Sequence, residues 1–305
     1  MSVATFRTAV VRTPGGPDSI EIVGVPMVEP GPGQVRVKVA AATVNPVDLA
    51  VVAGVFHDLG LVDQPNWTGL GWDFAGTVES AGPAVDLAVG TRVAGVVAGF
   101  DRDYGTYAEY LVVSAADIAV VPDALGSIAA STVPLNGLTA AQILDLLGDA
   151  AADGRRLLVT GAAGAVGGYL IVLAQERGWE VTGLAREHDE EFVRSLGADF
   201  TADAEPGWDA VADAGAMQQA ALALVRDGGR FVGVQPSSQL PTERGIAVTA
   251  VVAHPDGTRL ADLLDRTVSG QLPARVHSVL PLDQAADAHR TLAKGGVRGR
   301  IVVQP

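Results

Sequence analysis

The stretch Leu157-Leu158-Val159-Thr160-Gly161-Ala162-Ala163-Gly164-Ala165-Val166-Gly167-Gly168 is a short apolar run that breaks into a glycine-rich turn. The run has the length and composition of a buried strand, and the residues after the turn read as a helix reaching about Gln175. Small or absent side chains let such a turn bring its backbone close to a pyrophosphate. The helix that opens there supplies unpaired N–H groups and a partial positive charge. Gly167 would let the helix pack tightly on the strand. A ligand-free strand–helix turn has the same local look. Here a second strand follows the helix and completes the β-α-β unit, so the stretch is read as a dinucleotide-binding turn. Its expected cofactor contacts are Gly161, Ala163, Gly164, Ala165, Val166 and Gly167.

Short apolar strands alternate with Ala-rich helices on the C-terminal side of this turn. Strands are expected at 157–160, 181–184, 210–212, 230–234 and 247–252, with helices at 138–147 and 258–268. That alternation implies a parallel sheet covered on both faces. The first 120 residues differ. Gln34-Val35-Arg36-Val37-Lys38-Val39 alternates like a half-buried strand, and Met1 to Arg12 alternates in the same way. Further strands are expected at 76–79, 92–97 and 108–113, and a last β-rich stretch ends in Gly299-Arg300-Ile301-Val302-Val303. The fold class is therefore α/β: a doubly wound parallel sheet inserted in a β domain built from both chain ends. Residues 1–121 and 271–305 are assigned to the β domain, and 122–270 to the nucleotide-binding domain.

Composition narrows the function. At 305 residues and 48% hydrophobic, the chain can bury more than one core. No apolar run reaches the roughly 18 residues of a membrane span, and the N-terminus lacks the pattern of a signal peptide. A cytoplasmic location is the expectation. A net charge of −14 disfavours nucleic acid and anionic membranes as partners. With no cysteine, disulfides, thiolate chemistry and cysteine-ligated zinc are excluded, and the five histidines show no metal-ligand spacing. No metal is expected.

The choice of dinucleotide rests on the end of the second strand. A carboxylate there would hold a free ribose 2′-hydroxyl. Gly183-Leu184-Ala185-Arg186 offers none, and Arg186 suits a 2′-phosphate through charge-assisted, bidentate hydrogen bonds. The competing reading pairs Arg186 with Glu187, Asp189 or Glu190. NADPH is the cofactor expected.

Six segments in order carry a further resemblance: Asn45-Pro46-Val47-Asp48, Gly71-Trp72-Asp73-Phe74-Ala75-Gly76-Thr77-Val78, Gly105-Thr106-Tyr107-Ala108-Glu109-Tyr110, Gly137-Leu138-Thr139-Ala140, Ser195-Leu196-Gly197-Ala198-Asp199 and Gly296-Val297-Arg298-Gly299-Arg300-Ile301-Val302. With the glycine turn they resemble the medium-chain dehydrogenase/reductase superfamily, and within it the zinc-free quinone oxidoreductase (zeta-crystallin-like) branch. The resemblance implies a GroES-like β domain, a Rossmann domain, a cofactor cleft between them, and a homodimer joined through the edge strand 247–252. It places Asn45, Asp48 and Thr139 near the nicotinamide. It also implies cofactor contacts at Ala214, Gly233, Val234 and Arg298.

The departures are informative. Zinc-dependent relatives use cysteine and histidine ligands that this chain lacks. Relatives that reduce enoyl thioesters in polyketide synthases often use a lysine–aspartate pair, and the two lysines here, Lys38 and Lys294, have no comparable place. Phe56 stands where many quinone reductases carry a tyrosine. Asn45 and Asp48 are therefore read as positioning residues, with an Asn-Pro turn and a helix-dipole carboxylate as their ordinary alternatives. Tyr104, Tyr107 and His57 are the candidate proton donors. Tyr107 reads more simply as core, and His57 as a solvated loop residue. Phe56, Trp67 and Trp72 either line a substrate entrance or pack. The leading expectation is NADPH-dependent, zinc-independent reduction of quinones or α,β-unsaturated carbonyl compounds. The alternatives are an enoyl-thioester reductase of polyketide or fatty-acid type, and a non-catalytic NADPH-binding redox sensor.

Overall fold

The computed structural model describes residues 4–150, 155–236 and 240–305. Of the strand expected at Met1 to Arg12, residues 1–3 lie outside that set, and Thr5–Val11 forms the strand. Two compact units divide the chain. The first holds the chain up to Leu135 with Pro255–Ser269 and Ala274–Pro305, and the second holds Asn136–His254 with Gly270–Pro273.

In the first unit the long strand Gln34–Val44 pairs antiparallel with three others: Asp73–Ala81, Tyr110–Ser114 and Arg300–Gln304. The last pairing, Ile301 opposite Val44 through Val303 opposite Ala42, brings the C-terminal strand into the N-terminal sheet. Alternation does its expected work here: Val35, Val37 and Val39 point into a core shared with Phe74, Val78, Leu111, Ile301 and Val303. Arg36 on the opposite face is also buried, because Glu29 and Glu79 pair with its guanidinium.

In the second unit six strands are described: β1 (Arg155–Thr160), β2 (Trp179–Leu184), β3 (Asp199–Thr201), β4 (Trp208–Asp213), β5 (Val225–Gly233) and β6 (Ala247–Ala250). They lie in the order β3-β2-β1-β4-β5-β6, all parallel. This is the doubly wound order, in which the chain leaves β1 in one direction and returns on its other side as β4. β1 and β4 are thus the neighbours between which a ligand crevice opens. Residues 157–160 of β1 are fully buried, as expected of a central parallel strand. Helix Ala165–Glu176 links β1 to β2 and buries Leu170, Ile171 and Ala174. No helix forms in the link 202–207 between β3 and β4.

The division differs from the expected one in three places, the smallest being residues 271–273, which belong with the second unit. Residues 122–135 belong with the β unit: Arg92 donates to the carbonyls of Pro122 and Leu125, and Thr43 donates to that of Ser131 at 2.6 Å. Helix Gly257–Val268 also belongs there. Its apolar stripe of Leu260, Leu263, Leu264 and Thr267 is buried, and its first turn rests on strand Ile118–Val120. Periodicity announced the stripe and could not say which unit would cover it. A Cβ on Gly257 would lie 2.5 Å from the carbonyl oxygen of Ile118 and 2.6 Å from that of Ala116. Both atoms are backbone and cannot give way cheaply. Gly257→Ala is therefore expected to destabilise the first unit by about 1–3 kcal/mol, the usual cost of overpacking. Urea unfolding followed by tryptophan fluorescence checks this, and an unchanged midpoint contradicts the packing described.

Candidate functional site

The glycine turn is built by backbone passing backbone. After Thr160 ends β1, Gly161 takes a φ of 57°, in the left-handed region. A Cβ there would lie 2.8 Å from the backbone of Gly215. Gly164 donates to the carbonyl of Gly161 at 2.8 Å and is the N-cap of helix Ala165–Glu176, with no side chain capping it. A Cβ on Gly167 would lie 2.3 Å from the carbonyl oxygen of Gly161, so the first helical turn sits directly on the loop. The first amides of helix Ala165–Glu176 have no acceptor within the helix, and the helix dipole favours an anion beside them.

Around this turn the carboxyl ends of the strands bring together most of the expected contacts. Gly161 through Gly167 follow β1, Arg186 follows β2, Ala214 follows β4, and Gly233 closes β5 with Val234 just beyond. Arg186 is exposed and makes no ion pair with the described residues. Two of its three acidic neighbours are engaged elsewhere: Glu190 pairs with Arg194 at 2.8 Å, and Asp189 lies 3.6 Å from His188. Thr139 is a buried residue of the same unit, well inside helix Pro134–Leu147 rather than at its start. Arg298 is a residue of the first unit.

Two residues that the sequence did not single out organise the crevice at β1 and β4. Asp213, fully buried at the end of β4, accepts from the Thr160 hydroxyl at 2.5 Å and from the amides of Met217 at 3.0 Å and Gln218 at 2.7 Å. Gly215 N–H donates to the Thr160 hydroxyl oxygen at 3.0 Å. The loop held this way contains Ala216 and Gln218 at φ of 54° and 55°. Non-glycine residues there cost roughly 1–2 kcal/mol each, so the loop needs the hydrogen bonds it receives.

In the first unit the expected residues form a buried polar cluster. Asn45 precedes helix Pro46–Val52, and Asp48 lies in its first turn. Asp48 accepts from the Asn45 amide at 2.9 Å, the Gly71 amide at 3.1 Å and the Tyr107 hydroxyl at 3.2 Å. The Asn45 side-chain NH2 donates to the Thr43 carbonyl at 3.2 Å and to Asp73 at 2.8 Å. Both its N–H groups are thus committed inside the unit, and it is 1% exposed. As arranged, Asn45 donates to the protein and not to a cofactor, and Asp73 is the partner that the sequence reading missed. Tyr107 is fully buried with its hydroxyl on Asp48, in keeping with its simpler reading as core. His57 sits in the short helix Val55–Asp58, not in a loop, because Gly54 at φ 85° turns the chain into that helix. The aromatic residues divide. Phe56 stacks on Phe100 at 3.8 Å with Trp72 edge-on to Phe100, whereas Trp67 donates to the Asp103 carbonyl under Arg12. Tyr104 packs edge-on against Phe6.

Comparison with known proteins bears on this arrangement directly. A family model described as an alcohol dehydrogenase GroES-like domain matches residues 31–123, and one described as a zinc-binding dehydrogenase matches residues 188–303. The quinone oxidoreductase from Coxiella burnetii superposes with a TM-score of 0.84 at 26% identity, over 99% of this chain and 100% of that one. The chain belongs to the medium-chain dehydrogenase/reductase superfamily. Among curated proteins, a mycocerosic acid synthase-like polyketide synthase of Mycobacterium tuberculosis is 29% identical over 96% of the chain. Polyketide synthase GfsB of Streptomyces halstedii is 33% identical over 89% of it. The chain spans only 15% of the first of these proteins and 5% of the second.

This medium-chain dehydrogenase/reductase lacks the cysteine ligands that zinc often takes. It has no cysteine, and the described residues contain no group of three His, Asp or Glu side chains placed to hold a metal ion. A nicotinamide cofactor, which the superfamily binds, fits the residues present: the glycine turn runs straight into a helix whose first amides have no acceptor within the helix. No described helix is long and apolar enough to cross a membrane.

Burial raises the pKa of Asp48 to about 6 and that of Asp73 to about 7, only partly opposed by their hydrogen bonds to Asn45, Gly71 and Leu135. Arg102 also opposes the shift at Asp48. It is itself lowered to about 10 by burial, while it donates to the carbonyls of Gly71 and Val97. A carboxyl that binds its proton more tightly when folded stabilises the fold below its unfolded pKa of about 4. That contribution is lost as pH rises through the folded value. Relative to Asp73→Asn, the native protein should therefore lose stability between about pH 4 and pH 7. Melting curves of both proteins across that range test this, and parallel pH profiles contradict it.

Proposed function

We propose that this protein is an NADPH-dependent, zinc-independent reductase that transfers hydride to quinones or α,β-unsaturated carbonyl compounds. The observation that carries the cofactor choice is Arg186, an exposed guanidinium at the end of β2 with no carboxylate partner among the described residues. The N–H groups of Ala165 and Val166, at the start of the helix after the turn, would bind the pyrophosphate, and Arg186 the 2′-phosphate. Bound in this way, the dihydronicotinamide supplies the hydride. The substrate class follows from the donor set. Oxidation of an unactivated alcohol usually calls on a metal or a strong base, and no group of three side chains placed to hold a metal is found among the described residues. An enone or quinone carries its own sink for the developing charge, so positioning and a few hydrogen bonds suffice. Asn45, Asp48 and Tyr107 contribute by fixing the backbone of residues 45–48 and Gly71, not by moving protons.

A second reading is reduction of a carrier-linked enoyl thioester. It is favoured by the polyketide synthases among the relatives, and the hydride step would be the same. The outer side of β6 has no strand partner among the described residues, which supports a homodimer formed by continuing the sheet.

Arg186→Ala is expected to weaken NADPH binding by about 10- to 100-fold, in line with about 1.5–3 kcal/mol for a charged hydrogen bond, and to leave NADH binding unchanged. Fluorescence titration with both cofactors measures this. Equal affinity of the native protein for NADPH and NADH contradicts the assignment. In a panel followed by loss of NADPH absorbance, enones and quinones should turn over and simple alcohols should not. Turnover confined to acyl-thioester substrates selects the second reading. No turnover on any substrate, with NADPH still bound, favours a redox sensor.

A further inference from the structure

We infer that Thr160 and Asp213 are positioning residues for the cofactor, a hydrogen-bonded lock that sets the shape of the phosphate-binding turn; this rests on reading that turn as the dinucleotide site. The two residues face each other in register across β1 and β4, the strand pair at which the doubly wound sheet reverses direction. Both are completely buried. The Thr160 hydroxyl gives its proton to Asp213 and takes one from the Gly215 amide, and the remaining acceptor capacity of Asp213 fixes the amides of Met217 and Gln218. A buried carboxylate is costly unless its oxygens are satisfied, and here each satisfying group belongs to β1 or to the loop 214–218. The carboxylate is thereby spent on the protein and does not serve as a ribose acceptor.

The consequence reaches the turn because the loop and the turn touch. An added Cβ on Gly215 would lie 3.0 Å from the Gly161 nitrogen, and one on Gly161 would lie 2.8 Å from Gly215. Thr160 is also the residue immediately before Gly161, so its side chain anchors the point from which the turn departs. Without the hydroxyl, Gly215 N–H loses its acceptor and Asp213 loses a donor. The loop, with Ala216 and Gln218 in left-handed conformations, is then free to relax away from the turn. Glycines permit the tight turn, and the lock selects the one conformation of it that accepts a pyrophosphate.

The experiment uses the full chain carrying Thr160→Val, Thr160→Ser or Asp213→Asn. NADPH binding is measured by fluorescence titration, global stability by thermal melting, and local opening by amide hydrogen exchange. Thr160→Val, which keeps the branched shape, should raise the Kd and the KM for NADPH by about tenfold or more. It should leave kcat at saturating NADPH within about twofold, and the amides of 215, 217 and 218 should exchange faster than the β1 amides. Thr160→Ser, which restores the hydroxyl, should bring binding back to within about twofold. If Asp213→Asn does not fold, the valine and serine variants still decide the question. Native-like NADPH binding by Thr160→Val overturns the inference. So does a binding loss that merely follows a global loss of stability, with no selective opening of 214–218. If the native protein itself binds no nicotinamide dinucleotide, the cofactor reading falls and the lock with it. Binding by the native protein with no effect in Thr160→Val removes the lock alone.

Discussion

Backbone packs on backbone at Gly161, with no side chain between, and the arrangement of the second unit follows from that contact. Gly161 meets Gly215 on one side and carries Gly167 on its carbonyl oxygen on the other. The first contact ties the end of β1 to the loop after β4, so the strands flanking the sheet's reversal point stay together at their carboxyl ends. The second sets the first turn of helix Ala165–Glu176 directly against the end of β1, with its unpaired amides at that end of the helix. A methyl group at Gly161 would meet the backbone of Gly215 at 2.8 Å, and one at Gly167 the carbonyl oxygen of Gly161 at 2.3 Å, so either would force these elements apart.

The first unit uses a different constraint, the satisfaction of buried charge. Asp48, Asp73 and Arg102 lie in an apolar setting, and each is met by at least one backbone group distant in sequence: Gly71 for Asp48, Leu135 for Asp73, and Gly71 for Arg102, with Asn45 and Val97 adding nearer partners to Asp48 and Arg102. Such groups contribute little net stability, because desolvation offsets much of what their hydrogen bonds return. What they supply is a single position. Any other path of residues 45–48, 71–73 or 97–102 would leave a charge buried without partners, which costs far more than the pairs yield.

These two constraints explain what could be read from the sequence. The glycine turn was legible because its spacing is local, and the parallel strands because fully apolar runs need cover on both faces. The alternation of Val35, Val37 and Val39 gave the core face of the central β strand for the same reason. Arg186 was legible as a cation at a strand end, but its release from Glu190 and Asp189 required coordinates. Asp213 went unnoticed because an aspartate closing a strand resembles an ordinary terminator, and its partner Thr160 lies 53 residues away. Asn45 was expected to face a cofactor, since an amide shows no direction in sequence; Asp73, 28 residues on, takes its donor. Helix 258–268 displayed its apolar stripe plainly, and only the fit of Gly257 against Ile118 assigns it to the β unit.

The central claim is that the glycine turn and Arg186 together hold a 2′-phosphorylated dinucleotide. The most direct measurement is a crystal structure of the protein grown with saturating NADPH. The account predicts a pyrophosphate on the amides of Ala165 and Val166, at the start of the helix after the turn, and the 2′-phosphate within hydrogen-bond reach of the Arg186 guanidinium. A dinucleotide bound away from this turn, or one bound at the turn with its 2′-phosphate turned from Arg186 into solvent, would contradict it.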